Sequence, residues 1–161
     1  KLENGWSFTT KTGLYGTNYI QRALITAIGL GANRPEDAVY PTSEGPDIVK
    51  KYSGEHKYVL RFEKGQLPPA NGFWSLTMYG ADYFFVANPL NRYTLSQRNK
   101  LKANADGSVD LYFGPTAPAG KEANWIATVP GKGWFALFRL YGPLEPWFDK
   151  TWRLSEIEEA K

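Results

Sequence analysis

The segment Phe73 to Tyr79 constrains this chain more than any other. Its alternate residues Trp74, Leu76 and Met78 form one wholly apolar set, while Phe73, Ser75, Thr77 and Tyr79 form the other. This period of two belongs to a β-strand that buries one face. Gly80-Ala81-Asp82 interrupts the run, and Tyr83 to Val86 is expected to resume it as the returning strand. Beyond Val86 the character changes to Ala87-Asn88-Pro89-Leu90-Asn91-Arg92-Tyr93, a loop whose amides, guanidinium and phenol can fix a ligand or tie down the backbone.

Other segments extend the pattern. Tyr58, Leu60 and Phe62 alternate with Val59 and Arg61, predicting a strand between His56 and Glu63. Asp106-Gly107 signals a turn, and Ser108 to Gly114 reads as a strand with Val109, Leu111 and Phe113 inward. Trp134 to Tyr141 is apolar on both faces except at Arg139, which places it in the middle of the fold. A cation there needs a partner, and Asp82 or Glu63 are the expected candidates. One helix is predicted over residues 17–30: Tyr19, Ile20, Ala23, Leu24, Ala27 and Ile28 recur at helical spacing, with Thr17 or Asn18 as cap and Gly29 or Gly31 as stop. Its apolar stripe is expected to lie against the sheet. Thr42 to Gly54 reads as a loop, Thr94 to Asn104 as a short helix or covering loop, Leu144 to Lys150 as a helical turn, and Trp152 as an anchor for the tail.

These elements describe one domain over residues 1–161: a lead-in or linker at 1–16, the helix, and a β-rich body at 56–154. The expected fold is mainly β, an antiparallel jelly-roll-like sandwich with one N-terminal amphipathic helix and short helical turns. A parallel α/β sheet would need a helix between successive strands, and the sequence does not supply them.

Composition excludes several function classes. Cysteine is absent, so there are no disulfides and no thiolate chemistry. The net charge is +3 with Lys and Arg scattered among acidic residues, which argues against nucleic acid as a partner. No apolar stretch approaches the roughly 20 residues of a membrane span. The N-terminus has no signal-peptide core, so the chain reads as a mature or excised piece.

Motifs for catalysis are sparse. The single His56 sits in a charged approach to a strand and reads as a surface residue, and no Gly-x-Ser-x-Gly elbow is present. Metal binding is not expected, because zinc and iron draw on several His or Cys ligands and Asp106 and Asp110 lack the spacing of a calcium loop. No cofactor is expected. Gly29-Leu30-Gly31 ends a helix instead of opening one, and Gly131-Lys132-Gly133 is a turn without a phosphate-loop pattern.

What remains is an aromatic and polar set: Trp74, Tyr79, Asn88, Asn91, Arg92, Tyr93, Asn124, Trp125, Arg139 and Tyr141. Each residue has an ordinary structural use, yet together they suit the mouth or face of a jelly roll that takes a small polar or aromatic ligand.

The blocks GLGAN at Gly29 to Asn33, PEDAVYP at Pro35 to Pro41, YVLRF at Tyr58 to Phe62, QLPP at Gln66 to Pro69, FWSLTMY at Phe73 to Tyr79, NRY at Asn91 to Tyr93, DGS at Asp106 to Ser108, NW at Asn124 to Trp125 and RLYGP at Arg139 to Pro143 carry a resemblance. In this order they are similar to the bacterial family called domain of unknown function 1214. The resemblance implies a jelly-roll-like fold, a companion N-terminal domain of unknown function 1254 in a longer protein, and an exported, periplasmic or secreted location. Two functions follow as expectations. One is a non-catalytic ligand-binding or assembly module, which includes assembly as a homo-oligomer. The other is a hydrolase-type enzyme completed by the companion domain, with Tyr79, Arg92 and Arg139 polarising a carbonyl or phosphoryl oxygen.

Overall fold

The computed structural model describes residues 2–45 and 50–160. In chain order its elements are β1 (Leu2–Glu3), β2 (Trp6–Ser7), α1 (Tyr19–Gly29), β3 (Ala38–Val39), β4 (Thr42–Ser43), β5 (Tyr52–Ser53), β6 (Tyr58–Phe62), β7 (Ala70–Gly80), β8 (Thr94–Ser96), β9 (Val109–Gly114), β10 (Trp125–Ala127), β11 (Gly133–Pro143), α2 (Glu145–Phe148) and β12 (Ile157–Glu159). The segment expected as a loop from Thr42 to Gly54 supplies β4 and β5, and its residues 46–49 lie outside the described ones.

The architecture is mainly β and consists of two sheets. In the larger sheet the order runs β1-β2-β4-β11-β7-β8, with β3 and β5 also pairing along β11. The smaller sheet runs β10-β9-β6-β12. It is mixed instead of purely antiparallel, because β10 lies parallel to β9. The chain makes that crossover through residues 115–124, which include a 3-10 turn at Glu122–Asn124.

The strong alternation of β7 and β11 explains their place at the centre. They pair from Trp134↔Gly80 to Tyr141↔Phe73. Every odd-numbered partner pair, including Arg139↔Ser75 and Leu137↔Thr77, then points to one side of the sheet, and the even-numbered pairs point to the other. The inner side carries Trp74, Leu76, Met78, Trp134, Ala136, Phe138 and Leu140, all buried against Tyr58, Leu60, Phe62, Leu111 and Phe113 of the smaller sheet. Aromatic contacts stitch the two layers: Phe62 meets Trp74 edge-on at 5.5 Å between centroids, and Phe113 stacks on Trp134 at 5.0 Å. At the far end of β11 the register shifts between Tyr141 and Pro143. Gly142 takes φ +63° there, and its N–H donates to Asp37 O at 2.7 Å, so the strand turns without leaving that donor unpaired.

Four further expectations need correction. Thr94 to Asn104 is neither a helix nor only a covering loop, since its first residues, Thr94–Ser96, form β8 against β7. Tyr83 to Val86 is not a strand: only Phe85 bridges to Tyr79, because Tyr83 takes a left-handed φ of 67° that breaks the extended run. The apolar stripe of α1 does not lie against the sheet. Tyr19, Ile20, Leu24 and Ile28 are 57% to 85% exposed, and Ile25 is the residue that the helix buries. Arg139 pairs with neither Asp82 nor Glu63, since Glu63 is held by Arg61 and Asp82 folds back onto the N–H of Phe84. Asn18 caps α1 as expected, its Oδ1 accepting from Gln21 N at 3.1 Å. Trp6 and Trp152 are both buried in the core.

Candidate functional site

The residues that β7, β8 and β11 turn away from the core define one face of the larger sheet. From one end to the other, Tyr141 sits beside Phe73, then Arg139 beside Ser75 and Ser96, then Leu137 beside Thr77 and Thr94, then Phe135 beside Tyr79. The face thus has aromatic rows at both ends and a hydroxyl-rich middle. Tyr141 stacks on Phe73 at 4.6 Å, and Tyr79 stacks on Phe135 at 5.4 Å. Burial holds the Tyr141 phenol above its ordinary pKa, with the neighbouring Tyr40 adding to the shift.

Arg139 is the one cation that β7, β8 and β11 place in the middle of this face. Its Nη1 donates to Thr77 Oγ1 at 2.7 Å and its Nη2 to Tyr79 OH at 2.9 Å. Thr77 Oγ1 shares a further hydrogen bond with Thr94 Oγ1 at 2.9 Å. Among the described residues no carboxylate comes within ion-pair distance of Arg139. A half-buried guanidinium is therefore held by two neutral oxygens and by the Tyr79 ring, 6.0 Å from its centroid, with no carboxylate among its described partners.

The loop after β7 closes over one end of the face. Phe85 stacks on Tyr79 at 5.3 Å and on Tyr93 at 4.7 Å, while Tyr83 leans on Phe135 at 5.2 Å. Asn88 organises the remainder: its Oδ1 accepts from Leu90 N and Arg92 N, and its Nδ2 donates to Val86 O and Arg92 O. Asn91, at φ 47°, accepts from Tyr93 OH. Asn88 thus satisfies the backbone of its own loop, and Asn91 holds the Tyr93 phenol.

The sequence-predicted set divides accordingly. Tyr79, Tyr93, Arg139 and Tyr141 share the outer face or its covering loop. Trp74 lies on the opposite, buried side against Phe138. Arg92 Nη1 donates to Trp125 O at 3.1 Å and also to Glu122 O, which straps the loop to β10. Trp125 Nε1 donates to Gly114 O at 2.9 Å. Asn124 is fully buried, accepts from Lys102 N at 2.7 Å, and donates to Lys102 O and Asp110 O. Sequence reasoning passed over Ser75, Thr77, Thr94 and Phe135. The signal was available for two of them, because Ser75 and Thr77 alternate in step with Tyr79.

Charged groups elsewhere are engaged locally. Arg61 holds Asp106 at 2.6 Å, Glu63 at 2.8 Å and Asp110 at 3.4 Å. Asp106 is pulled down to about 2, chiefly by accepting from the Ser108 hydroxyl and N–H and then by Arg61. His56 pairs with Glu159, whose carboxyl is lowered by that contact and by Lys50. Among the described residues no group of three or more His, Asp or Glu side chains is placed to hold a metal ion. None of the described helices is long and apolar enough to cross a membrane. An open hollow of about 550 Å³ beside α1 has Lys11 and Glu36 as its only charged lining groups, and Glu36 is paired with Arg34.

The geometry defines a two-sheet β-sandwich with an aromatic outer face centred on one arginine. The chain belongs to the family described as Protein of unknown function (DUF1214), whose model matches residues 37–145. It is similar in structure to the VPA0106 protein of Vibrio parahaemolyticus, with 31% identity over 84% of this chain and 34% of that one and a TM-score of 0.69. A putative uncharacterized protein from Burkholderia cenocepacia shares the fold at 15% identity and a TM-score of 0.58, over 98% of this chain and 35% of that one. The chain thus spans about a third of the length of both solved structures. No protein of curated function matches it.

Proposed function

We propose that this domain is a non-catalytic assembly module, and that α1 is the surface on which the rest of a longer protein packs. One observation carries the reading: Tyr19, Ile20, Leu24 and Ile28 form a helical stripe with 57% to 85% of each residue exposed. Contiguous apolar faces of this kind mark interaction sites. Covering them would contribute roughly 1.5 to 3 kcal/mol for each large side chain fully buried. That this chain spans only about a third of the two similar structures supports a large intramolecular partner, for which a companion domain is the occupant this reading names. The two facing sheets support a jelly-roll-like description of the module itself.

The test is a triple substitution, Ile20→Gln with Leu24→Gln and Ile28→Gln. The parent chain should self-associate with rising concentration in sedimentation velocity and should bind a hydrophobic dye. The variant should be monomeric and dye-free at an unchanged melting temperature. A parent that stays monomeric and dye-free, or a variant that unfolds, would refute an uncovered docking face.

A further inference from the structure

The outer face of the larger sheet is a second surface that the assembly reading leaves unused. We propose that the β7–β8–β11 face is a binding site for a small aromatic carboxylate, with Arg139 as its anchor. The argument begins with charge. Arg139 is half-buried, yet its partners are the neutral oxygens of Thr77 and Tyr79, and no acidic residue is presented by the outward positions of β7, β8 or β11. A guanidinium removed from bulk water gains most from a planar carboxylate, which can take two parallel N–H donors at once.

Arg139 is also aimed. Thr77 and Tyr79 fix its two terminal nitrogens from one side, and Thr94 braces Thr77 in turn. The guanidinium is therefore ordered before any ligand arrives, which lowers the entropic cost of binding. Ser75 stands directly across from it in the strand register but is buried, so the remaining N–H groups of the guanidinium are the donors left for a carboxylate.

The aromatic rows decide the rest of the ligand. Phe73 and Tyr141 lie on one side of the Arg139 row, and Tyr79 and Phe135 lie on the other. Phe85 and Tyr83 cover the Tyr79–Phe135 row, so a ring attached to the carboxylate would rest against the Phe73–Tyr141 row. Arg98 lies over the Phe73 ring at 4.8 Å, adding a second positive group beside the same row and favouring an anion over a neutral molecule. A phosphate would use the arginine and leave the rings idle, and a neutral aromatic would use the rings and leave the arginine unpaired. An aryl carboxylate uses both.

The probe is benzoate, titrated into the full chain by calorimetry, with benzamide as its neutral isostere and inorganic phosphate as a ringless anion. Benzoate should bind saturably, one per chain, with a dissociation constant of roughly 1 mM. Benzamide and phosphate should each bind at least about tenfold more weakly. Backbone amide resonances of Ser75, Thr77, Tyr79 and Arg139 should shift on addition of benzoate, and those of β6 and β12 should not. Arg139→Gln should abolish binding. Ser75→Asp should do the same while retaining Arg139, because it supplies an internal carboxylate at the facing position, so the test survives if Arg139→Gln fails to fold. The Ile20, Leu24 and Ile28 variant should bind benzoate as the parent does, which separates this site from the α1 surface. The proposal is overturned if the parent shows no saturable benzoate binding, if benzamide or phosphate binds equally well, or if the shifted resonances lie elsewhere.

Discussion

Replacing Asn124 tests whether a polar residue singled out in the sequence is a ligand contact or a structural tie. Its side chain is fully buried and makes three hydrogen bonds to backbone groups: 2.7 Å from Lys102 N, 2.9 Å to Lys102 O and 2.8 Å to Asp110 O. The amide thus acts as a short piece of sheet joining the 101–104 segment to β9. Asn124→Ala removes all three bonds and strands one N–H and two carbonyls. At about 1 kcal/mol for each lost bond, the loss is roughly 3 kcal/mol. For a domain of this size that lowers the melting temperature by about 6 to 12 °C. Asn124→Asp should cost more at neutral pH, because a carboxylate would then face two carbonyl oxygens without the donors that Nδ2 supplied. Urea unfolding followed by tryptophan fluorescence measures both variants. A loss below about 1 kcal/mol for the alanine variant would refute the three-bond reading.

Other outcomes follow from the same geometry. Arg92→Ala should lower stability by about 1 to 2 kcal/mol, since its guanidinium bonds two backbone carbonyls at the half-exposed strap to β10; an unchanged urea midpoint would contradict that role. The Tyr52 phenol is pushed up to about 12 by burial, from its ordinary value of 10.0. A neutral group whose folded pKa is raised contributes fully below the unfolded value, so stability should fall between pH 10 and 12 by about 2 to 3 kcal/mol. Tyr52→Phe should flatten that part of the profile, and a variant that declines as steeply as the parent would show the loss to arise elsewhere. Asp106 runs the other way. Its lowered pKa contributes above the unfolded value and is lost as pH falls through about 2, a loss that Asp106→Asn should remove from the acid limb of a melting profile.

The long strands were legible because their side chains obey a single period. In β6, Tyr58, Leu60 and Phe62 are all buried as the alternation predicts, and β11 lies in the interior of its sheet because both its faces are largely apolar. The two-residue strands β3, β4 and β5 were not legible. Their pairing is imposed by β11, whose length offers partners at Tyr141, Leu137 and Trp134 to whatever backbone runs alongside. β12 was hidden by its charges, since Glu158 and Glu159 sit on an edge strand with only Ile157 buried. In the candidate site, Tyr79 and Arg139 were visible as exceptions within apolar runs. Asn124 drew attention by residue type alone, and burial rather than composition decides its role.

The helix α1 carries the same lesson one step further. Its spacing specifies an apolar face but not what covers that face, and among the described residues the sandwich buries only Ile25 of it. The inner faces of the two sheets cover each other, and Phe85 and Tyr83 already occupy one end of the outer face. An 11-residue helix is marginal without tertiary cover, and here the described anchors are the Asn18 cap, the Gln21 bond to Lys11 O at 2.7 Å and the buried Ile25. Opening α1 should therefore cost far less than unfolding the sandwich. Hydrogen exchange should find the amides from Ala23 to Gly29 exchanging orders of magnitude faster than those of Leu76 and Phe138 in the central strand pair. Equal protection in helix and strands would mean that α1 is held by the domain itself, which would remove the reason to expect a partner on its face.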